Sequence, residues 1–197
     1  MKIGVLTLQG DFRKHMDMIR ASGASPAAVR DSAELEGVSG LIIPGGESTT
    51  IGKLLCRFGL SEPLEQKINS GFPVFGTCAG TIILSREIES SSQYRIGVLP
   101  VKVSRNAYGR QIESFETDIS MPVLGEEPVR SVFIRAPIIK AILDPEVEVL
   151  GEFEGNPVFI RYRNILSATF HPELTDDLRI HSYFLSLCRN LKAQVAN

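Results

Sequence analysis

The chain has no tryptophan, only three cysteines and no long apolar run, and each shortage excludes something. Cys56, Cys78 and Cys188 are odd in number and far apart, and no C-x-x-C occurs. Neither a disulfide scaffold nor a cysteine zinc site is supported, and a reducing, cytoplasmic setting is expected. No stretch approaches the roughly 18 uninterrupted apolar residues of a membrane helix. The opening Met1-Lys2-Ile3-Gly4-Val5-Leu6 turns polar at Gln9-Gly10-Asp11, too early for a signal peptide. Neither sign of charge dominates. Lys plus Arg number 21 against 23 Asp plus Glu, a formal net charge of −2 without a basic tail, which argues against a broad nucleic-acid footprint. G-x-G-x-x-G and G-K-[ST] are both missing, so there is no dinucleotide fingerprint and no Walker loop. A zinc site built from His15, His171 and His181 would need unlike elements to converge without a compact ligand motif, and no metal is expected.

What remains is a chain of 197 residues, 43% hydrophobic, large enough for a full core; one domain over 1–197 is expected. Lys2 to Leu8 is an apolar run rich in β-formers, read as a buried parallel strand. Asp11 is placed to cap a helix in which Phe12, His15, Met16 and Ile19 recur at helical spacing. Ala27 to Arg30 reads as a second strand, Asp31 to Glu36 as a short helix or turn, and Leu41-Ile42-Ile43 as a strand stopped by Pro44-Gly45-Gly46. Helical patterns follow at Ile51 to Phe58 and around Leu64 and Ile68, and Pro73 to Phe75 forms another strand. This alternation is the rhythm of an α/β sheet with right-handed crossovers. Glu87 to Gln93 is polar and reads as loop. The second half differs: Ile96–Val103, Glu113–Thr117, Val129–Ile134, Val147–Phe153 and Val158–Arg163 are short β-rich runs suggesting an antiparallel or mixed extension. Ile165 to Phe170 is a last strand before His171-Pro172-Glu173, and Asp176 to Leu191 closes as an amphipathic helix.

Val74-Phe75-Gly76-Thr77-Cys78-Ala79-Gly80 organises the rest. A short strand ends in G-x-C-x-G and a helical pattern begins at once, the shape of a nucleophile elbow. Gly76 and Gly80 make steric sense where strand and helix come close, and the first N–H groups of the helix favour a thiolate. Because cysteine is one of the most buried residue types, the pentapeptide alone does not separate a nucleophile from inert core. A thiol nucleophile needs a base, and the base an orienting acceptor. His171-Pro172-Glu173, directly after a strand, offers both, since open parallel sheets gather their sites at strand carboxyl ends. His15 and His181 lie in the first and last helices, where imidazoles are more often structural or interfacial. Pro44-Gly45-Gly46-Glu47-Ser48 is either a ligand-approaching turn or simply a tight turn and cap. Arg105 and Arg135, flanked by β-rich runs, suit a carboxylate or phosphate, or ordinary structural pairing.

With those residues in view, the chain resembles the glutaminase subunits of pyridoxal 5′-phosphate synthases, within the class I (triad) glutamine amidotransferases. The resemblance runs essentially end to end: Gly4-Val5-Leu6 with Leu8-Gln9-Gly10, Leu41 to Thr50 as LIIPGGESTT, Phe75 to Gly80 as FGTCAG, Arg105 to Phe115 as RNAYGRQIESF, Phe133 to Pro137 as FIRAP, and Phe170 to Asp177 as FHPELTDD. The elbow and HPE motifs mark only the wider class; the GGESTT, RNAYGRQ and FIRAP segments are specific to the subfamily. The resemblance implies a flavodoxin-like α/β three-layer sandwich, its mostly parallel or mixed central sheet flanked by helices, with a small antiparallel extension. It implies hydrolysis of L-glutamine to L-glutamate and ammonia, with Cys78 as nucleophile, His171 as general base and acid, and Glu173 as its orienting carboxylate. By the same resemblance Gly46, Glu47, Ser48, Arg105, Ile134 and Arg135 bind glutamine, and the backbone N–H groups of Gly46 and Ala79 form the oxyanion hole. Gln9 and Gly10 belong to the region that rearranges when a partner synthase subunit docks. That partner takes the ammonia and makes pyridoxal 5′-phosphate from a pentose phosphate and glyceraldehyde 3-phosphate. No cofactor, nucleic acid or membrane is implied for the glutaminase chain itself. Val158 to Asn164 (VFIRYRN) departs from the family's glutamine- and glycine-containing hairpin, being bulkier and more basic, which puts local turn geometry or a surface contact in question. The rival readings are a glutaminase serving another synthase such as that of histidine biosynthesis, a non-catalytic scaffold, and a cysteine hydrolase or peptidase on the same sheet.

Overall fold

The computed structural model describes residues 1–105 and 114–195. Most of the RNAYGRQIESF segment (106–113) therefore lies outside the described residues. The chain runs β1 (Lys2–Leu6), α1 (Phe12–Ala21), β2 (Ser25–Val29), α2 (Ser32–Glu36), β3 (Leu41–Ile43), α3 (Ser48–Arg57), α4 (Ser61–Asn69), β4 (Val74–Thr77) and α5 (Ala79–Leu84). It continues with β5 (Ser85–Ile88), β6 (Leu99–Ser104), β7 (Ser114–Ile119), β8 (Val129–Ile134), β9 (Ile138–Ile142), β10 (Glu148–Phe153), β11 (Asn156–Tyr162), β12 (Ile165–Ala168) and α6 (Arg179–Val195).

A seven-stranded sheet, ordered β10-β11-β12-β4-β3-β1-β2, forms the middle layer. The five strands from β12 to β2 are parallel, and β11 and β10 add an antiparallel edge. The central strands read as continuous apolar runs because both of their faces are covered. Alternate residues go to opposite layers. Leu6, Leu41, Ile43 and Val74 pack with Leu35 of α2, Ile51 and Leu55 of α3, Leu64 of α4 and Ile83 of α5. Ile3, Val5, Ile42 and Phe75 pack with Ile19 of α1 and Phe184 of α6. Each such side chain, fully buried, contributes roughly 1.5–3 kcal/mol. The expected three-layer α/β sandwich is what forms.

The second half supplies the extension, arranged differently from the expectation. Strands β10 and β11 complete the main sheet, while β5-β6-β9 and the hairpin β7-β8 make two smaller sheets. Glu87 and Ile88, read as loop, lie in β5, which pairs in parallel with β6. Strand β9 was not anticipated and closes that sheet antiparallel to β6. The basic stretch 158–164 forms most of β11 and its turn. Arg163 sits at positive φ, pairs with Glu146 at 3.0 Å and stacks on Tyr162, while Arg161 lies 3.9 Å from Glu148. Its extra charge is answered within the sheet edge. Asp11 stands at the N-cap of α1 without a side-chain cap bond; its backbone N–H instead donates to Gly45 O at 3.3 Å. Asp31 does cap α2, accepting from the Glu34 N–H at 2.8 Å.

Candidate active site

Strands β12, β4, β3 and β1 are adjacent and parallel, so the four segments that follow them emerge together at the carboxyl end of the sheet. Ile43 pairs with Gly76 and Ala168 with Thr77, which sets Pro44-Gly45-Gly46, Cys78 and the HPE turn side by side. Cys78 is the turn residue between β4 and α5, at φ 47 and ψ −102. Such a backbone is strained for a side-chain-bearing residue and persists only where its surroundings enforce it. They do so here. The Cys78 N–H donates to Ala168 O at 2.8 Å, and the Thr81 hydroxyl donates to the same carbonyl while sharing a 2.8 Å hydrogen bond with Ser167. A methyl group on Gly80 would overlap the backbone oxygen of Ile43, and one on Gly76 would come within 2.8 Å of the Gly80 carbonyl carbon. The elbow needs its two glycines because β3, β4 and α5 are in backbone contact there.

His171 is buried, and its Nδ1 lies 2.8 Å from Glu173 Oε1. With Nδ1 engaged, the imidazole presents its other nitrogen toward the Cys78 side. Burial pulls the imidazole's pKa down, but the interactions with the Cys78 side chain and with Glu173 outweigh it and push the value up to about 10. Glu173 is 2% exposed; burial opposes its charge, yet the imidazoles of His15 and His171 hold its carboxyl down at about 2. Gly45 separates the two walls of this site, since a Cβ there would overlap His171 and touch the Cys78 Cβ at 3.4 Å. The hairpin β7-β8 props the arrangement from above. The His171 N–H donates to Val132 O at 2.8 Å, and the end of β8 brings the Ile134 carbonyl to 3.9 Å from Cys78 Sγ. Arg135 follows at positive φ.

These groups surround a pocket of about 290 Å³. Cys78, Ala79 and His171 form one wall, Gly46, Glu47 and Ser48 a second, and Arg105, Ile134 and Arg135 a third; Gln9 and Ile82 also reach it. Of the residues to which the family resemblance gives a site role, Glu173 and Gly10 do not line it: Glu173 stands behind His171, and Gly10 packs against the Gly45 carbonyl. Glu47 caps α3, accepting from the Thr49 and Thr50 N–H groups and the Thr50 hydroxyl. Though burial works against its charge, these bonds hold its carboxyl near 2. The Glu47 N–H in turn donates to Gln9 Oε1 at 2.8 Å, which ties the turn after β1 to the glycine turn after β3. A thiol beside an ionised imidazole–carboxylate pair, in a pocket bearing both a carboxylate and two guanidinium groups, suits nucleophilic attack on a substrate with charges of both signs.

Residues 5–190 match the SNO glutamine amidotransferase family. The chain belongs to that family. Among similar proteins is the pyridoxal 5′-phosphate synthase subunit PdxT of Pelotomaculum thermopropionicum, 58% identical over 189 residues that cover 95% of either chain. The PdxT subunit of Moorella thermoacetica is 53% identical over 187 residues, covering 95% of this chain and 99% of its own. A crystal structure of a glutamine amidotransferase superposes with a TM-score of 0.90 at 47% identity, covering 94% of this chain and 98% of that one.

Four side chains in or behind this pocket were not assigned to it from the sequence. Ile82 adds an apolar patch to the pocket. Gln93 accepts from Arg105 Nη1 at 2.5 Å and meets the hydroxyls of Ser48 and Thr49. Thr77 Oγ1 accepts from the Gly45 N–H at 3.1 Å and lies 3.2 Å from His15 Nε2. His15, weighed as a structural imidazole, lies directly behind Glu173. The available signal was its place among the inward positions of α1; nothing in the sequence showed what that face meets.

Proposed function

We propose that this chain is the glutaminase subunit of a pyridoxal 5′-phosphate synthase, acting as one domain over 1–197 in the cytoplasm. It hydrolyses L-glutamine to L-glutamate and passes the ammonia to a partner synthase subunit, which builds pyridoxal 5′-phosphate from a pentose phosphate and glyceraldehyde 3-phosphate. The single observation that carries the reading is the strained Cys78 at a strand end beside the hydrogen-bonded His171–Glu173 pair, in a chain of the SNO family. Among the described residues no helix is long and apolar enough to cross a membrane.

The chemistry follows from those positions. The Cys78 thiolate attacks the side-chain amide carbon of glutamine. Charge developing on the amide oxygen is met by the Gly46 and Ala79 N–H groups, each such donor being worth about 3–4 kcal/mol of barrier. His171, protonated and held by Glu173, gives its proton to the departing nitrogen, and ammonia leaves behind a γ-glutamyl thioester. The imidazole then takes a proton from water, hydroxide attacks the thioester, and glutamate departs as the thiol is restored. Glu47 suits the α-ammonium of glutamine, and Arg105 and Arg135 suit its α-carboxylate, with Ser48 and the Ile134 backbone completing the cradle. Gln9, with Gly10 beside it, connects this cradle to the face on which the synthase subunit docks, so the rate depends on the partner.

The test is glutamate release from glutamine by the purified chain, alone and with its cognate synthase subunit. The complex is expected to turn over much faster than the isolated chain, and Cys78→Ala to abolish turnover while still binding the partner. Persistent turnover in C78A would overturn the nucleophile assignment, and equal rates with and without the partner would overturn activation by docking.

A further inference from the structure

Behind Cys78, His171 and Glu173 lies a second row of buried polar side chains that the mechanism above leaves unused. Glu173 Oε1 is taken by His171, while Oε2 is buried without a hydrogen-bond partner of its own, and His15 Nε2 stands 3.3 Å from it. The same nitrogen lies 3.2 Å from Thr77 Oγ1, and His15 Nδ1 lies 3.0 Å from His181 Nε2. His15 and His181 are both almost wholly buried.

The direction of these bonds can be decided. Burial keeps both imidazoles neutral. It pulls His15 down against the attraction of Glu173, aided by His171 and opposed by Asp11; it pulls His181 to about 3, with His15 adding to the fall and Glu173 opposing it. Each neutral ring therefore has one N–H to place. Were the His15 proton on Nδ1, a bare nitrogen would face the carboxylate at 3.3 Å, and His181 would have to hold its own proton on Nδ1, which has no partner. A buried unpaired N–H and two opposed lone pairs are both costly. With the His15 proton on Nε2 these faults disappear. The His181 Nε2–H donates to His15 Nδ1, the His15 Nε2–H points between Thr77 Oγ1 and Glu173 Oε2, and only an unprotonated His181 Nδ1 is left without a partner.

We infer that His15 is a positioning residue of the glutaminase site: among the described residues its Nε2–H is the side-chain donor facing Glu173 Oε2, its tautomer is fixed by His181, and through Thr77 it ties the carboxylate to the Gly45 turn. The inference rests on the assignment of Cys78, His171 and Glu173 as the triad. Thr77 joins the two halves because it accepts from the Gly45 N–H and directly precedes Cys78. Among the described residues the ionisable groups around His15 are Glu173, His171, Asp11 and His181. Of these only Glu173 and His171 take part in the chemistry. Losing the His15 donor leaves a carboxylate oxygen bare, so Glu173 takes up a proton at higher pH and releases its hold on the imidazolium.

The experiment compares His15→Asn with His15→Gln in the full chain. Both are amides, but only glutamine reaches far enough to put an N–H where Nε2 stands; asparagine reaches the Nδ1 position and keeps the His181 bond. Two readouts are taken: the pH dependence of Cys78 alkylation by iodoacetamide in the isolated chain, and kcat and KM for glutamine with the synthase partner. H15N is expected to move the acid limb of alkylation up by about one pH unit and to lower kcat about tenfold at unchanged KM. H15Q is expected to bring both back toward wild type. A folded H15N with the limb in its wild-type place, or H15Q impaired as much as H15N, overturns the inference; should H15N not fold, H15L is read in the same way. A failure of the triad is seen separately, because His171→Asn would then leave the alkylation rate of otherwise wild-type protein unchanged.

Discussion

Arg105 shows how a single side chain is readied for a ligand. It reaches the pocket from just beyond β6, held at Nη1 by the neutral oxygens of Gln93 and, at 3.4 Å, Thr49. Among the described residues its carboxylate neighbour is Glu47, 3.5 Å from Nη2 and half exposed. An arginine fixed mostly by neutral acceptors keeps much of its charge uncompensated, and so available to an incoming carboxylate. Arg105→Ala is therefore expected to raise KM for glutamine by roughly 10- to 100-fold, the value of a charge-assisted hydrogen bond, with kcat changed far less. Arg105→Lys should recover part of the loss. Steady-state kinetics on the complex, run beside Arg135→Ala, check this. A KM shift in the Arg135 variant alone would give the carboxylate to the other guanidinium.

At the scale of elements, the elbow is a meeting of three backbones, and Gly80 is where they touch. A Cβ there overlaps the carbonyl oxygen of Ile43, which β3 cannot move without losing its pairing to β4. Gly80→Ala should cost about 1–3 kcal/mol, as overpacking a rigid site does, and lower Tm by several degrees. Gly37→Ala is the control: a Cβ there finds only the Glu34 carbonyl at 3.6 Å, an ordinary contact, and Tm should hold. An unchanged Tm in G80A, by circular dichroism, would mean that the strand and helix are looser than their packing implies. Much of this geometry was legible beforehand, because G-x-C-x-G between a β-run and a helical run carries its own steric logic. Strands β1, β3, β4 and β12 were legible for a similar reason, as continuous apolar runs ended by breakers. Strands β5 and β9 were not. The polar Glu87 belongs to a strand only because β6 lies alongside it, and Ile138–Ile142 follows Pro137 too closely to carry a turn signal of its own. The approach of His15 to Glu173 was equally hidden, since it depends on how α1 packs against the HPE turn.

Across the whole molecule, the buried charges of this one site shape the dependence of stability on pH. Glu173 titrates at about 2 in the folded chain against 4.5 unfolded, so the stability it lends is complete above pH 4.5 and is lost as pH falls toward 2. His171 works from the other side. Raised from 6.5 to about 10, it lends stability that is complete below pH 6.5 and drains away as pH climbs toward 10. His181, lowered from 6.5 to about 3, resists protonation in the fold, so stability also declines as pH drops from 6.5 toward 3; His15 shifts in the same direction. The three windows meet near pH 6.5, where the isolated chain should reach its highest Tm. Calorimetry at constant ionic strength should show the decline on both flanks. Glu173→Gln should weaken the fall on the alkaline side as well as the acidic one, because the carboxylate is part of what keeps the His171 proton in place. A wild-type Tm that climbed steadily to pH 9, or an E173Q curve altered only below pH 4.5, would mean that the imidazole and carboxylate are not coupled through the 2.8 Å contact between them.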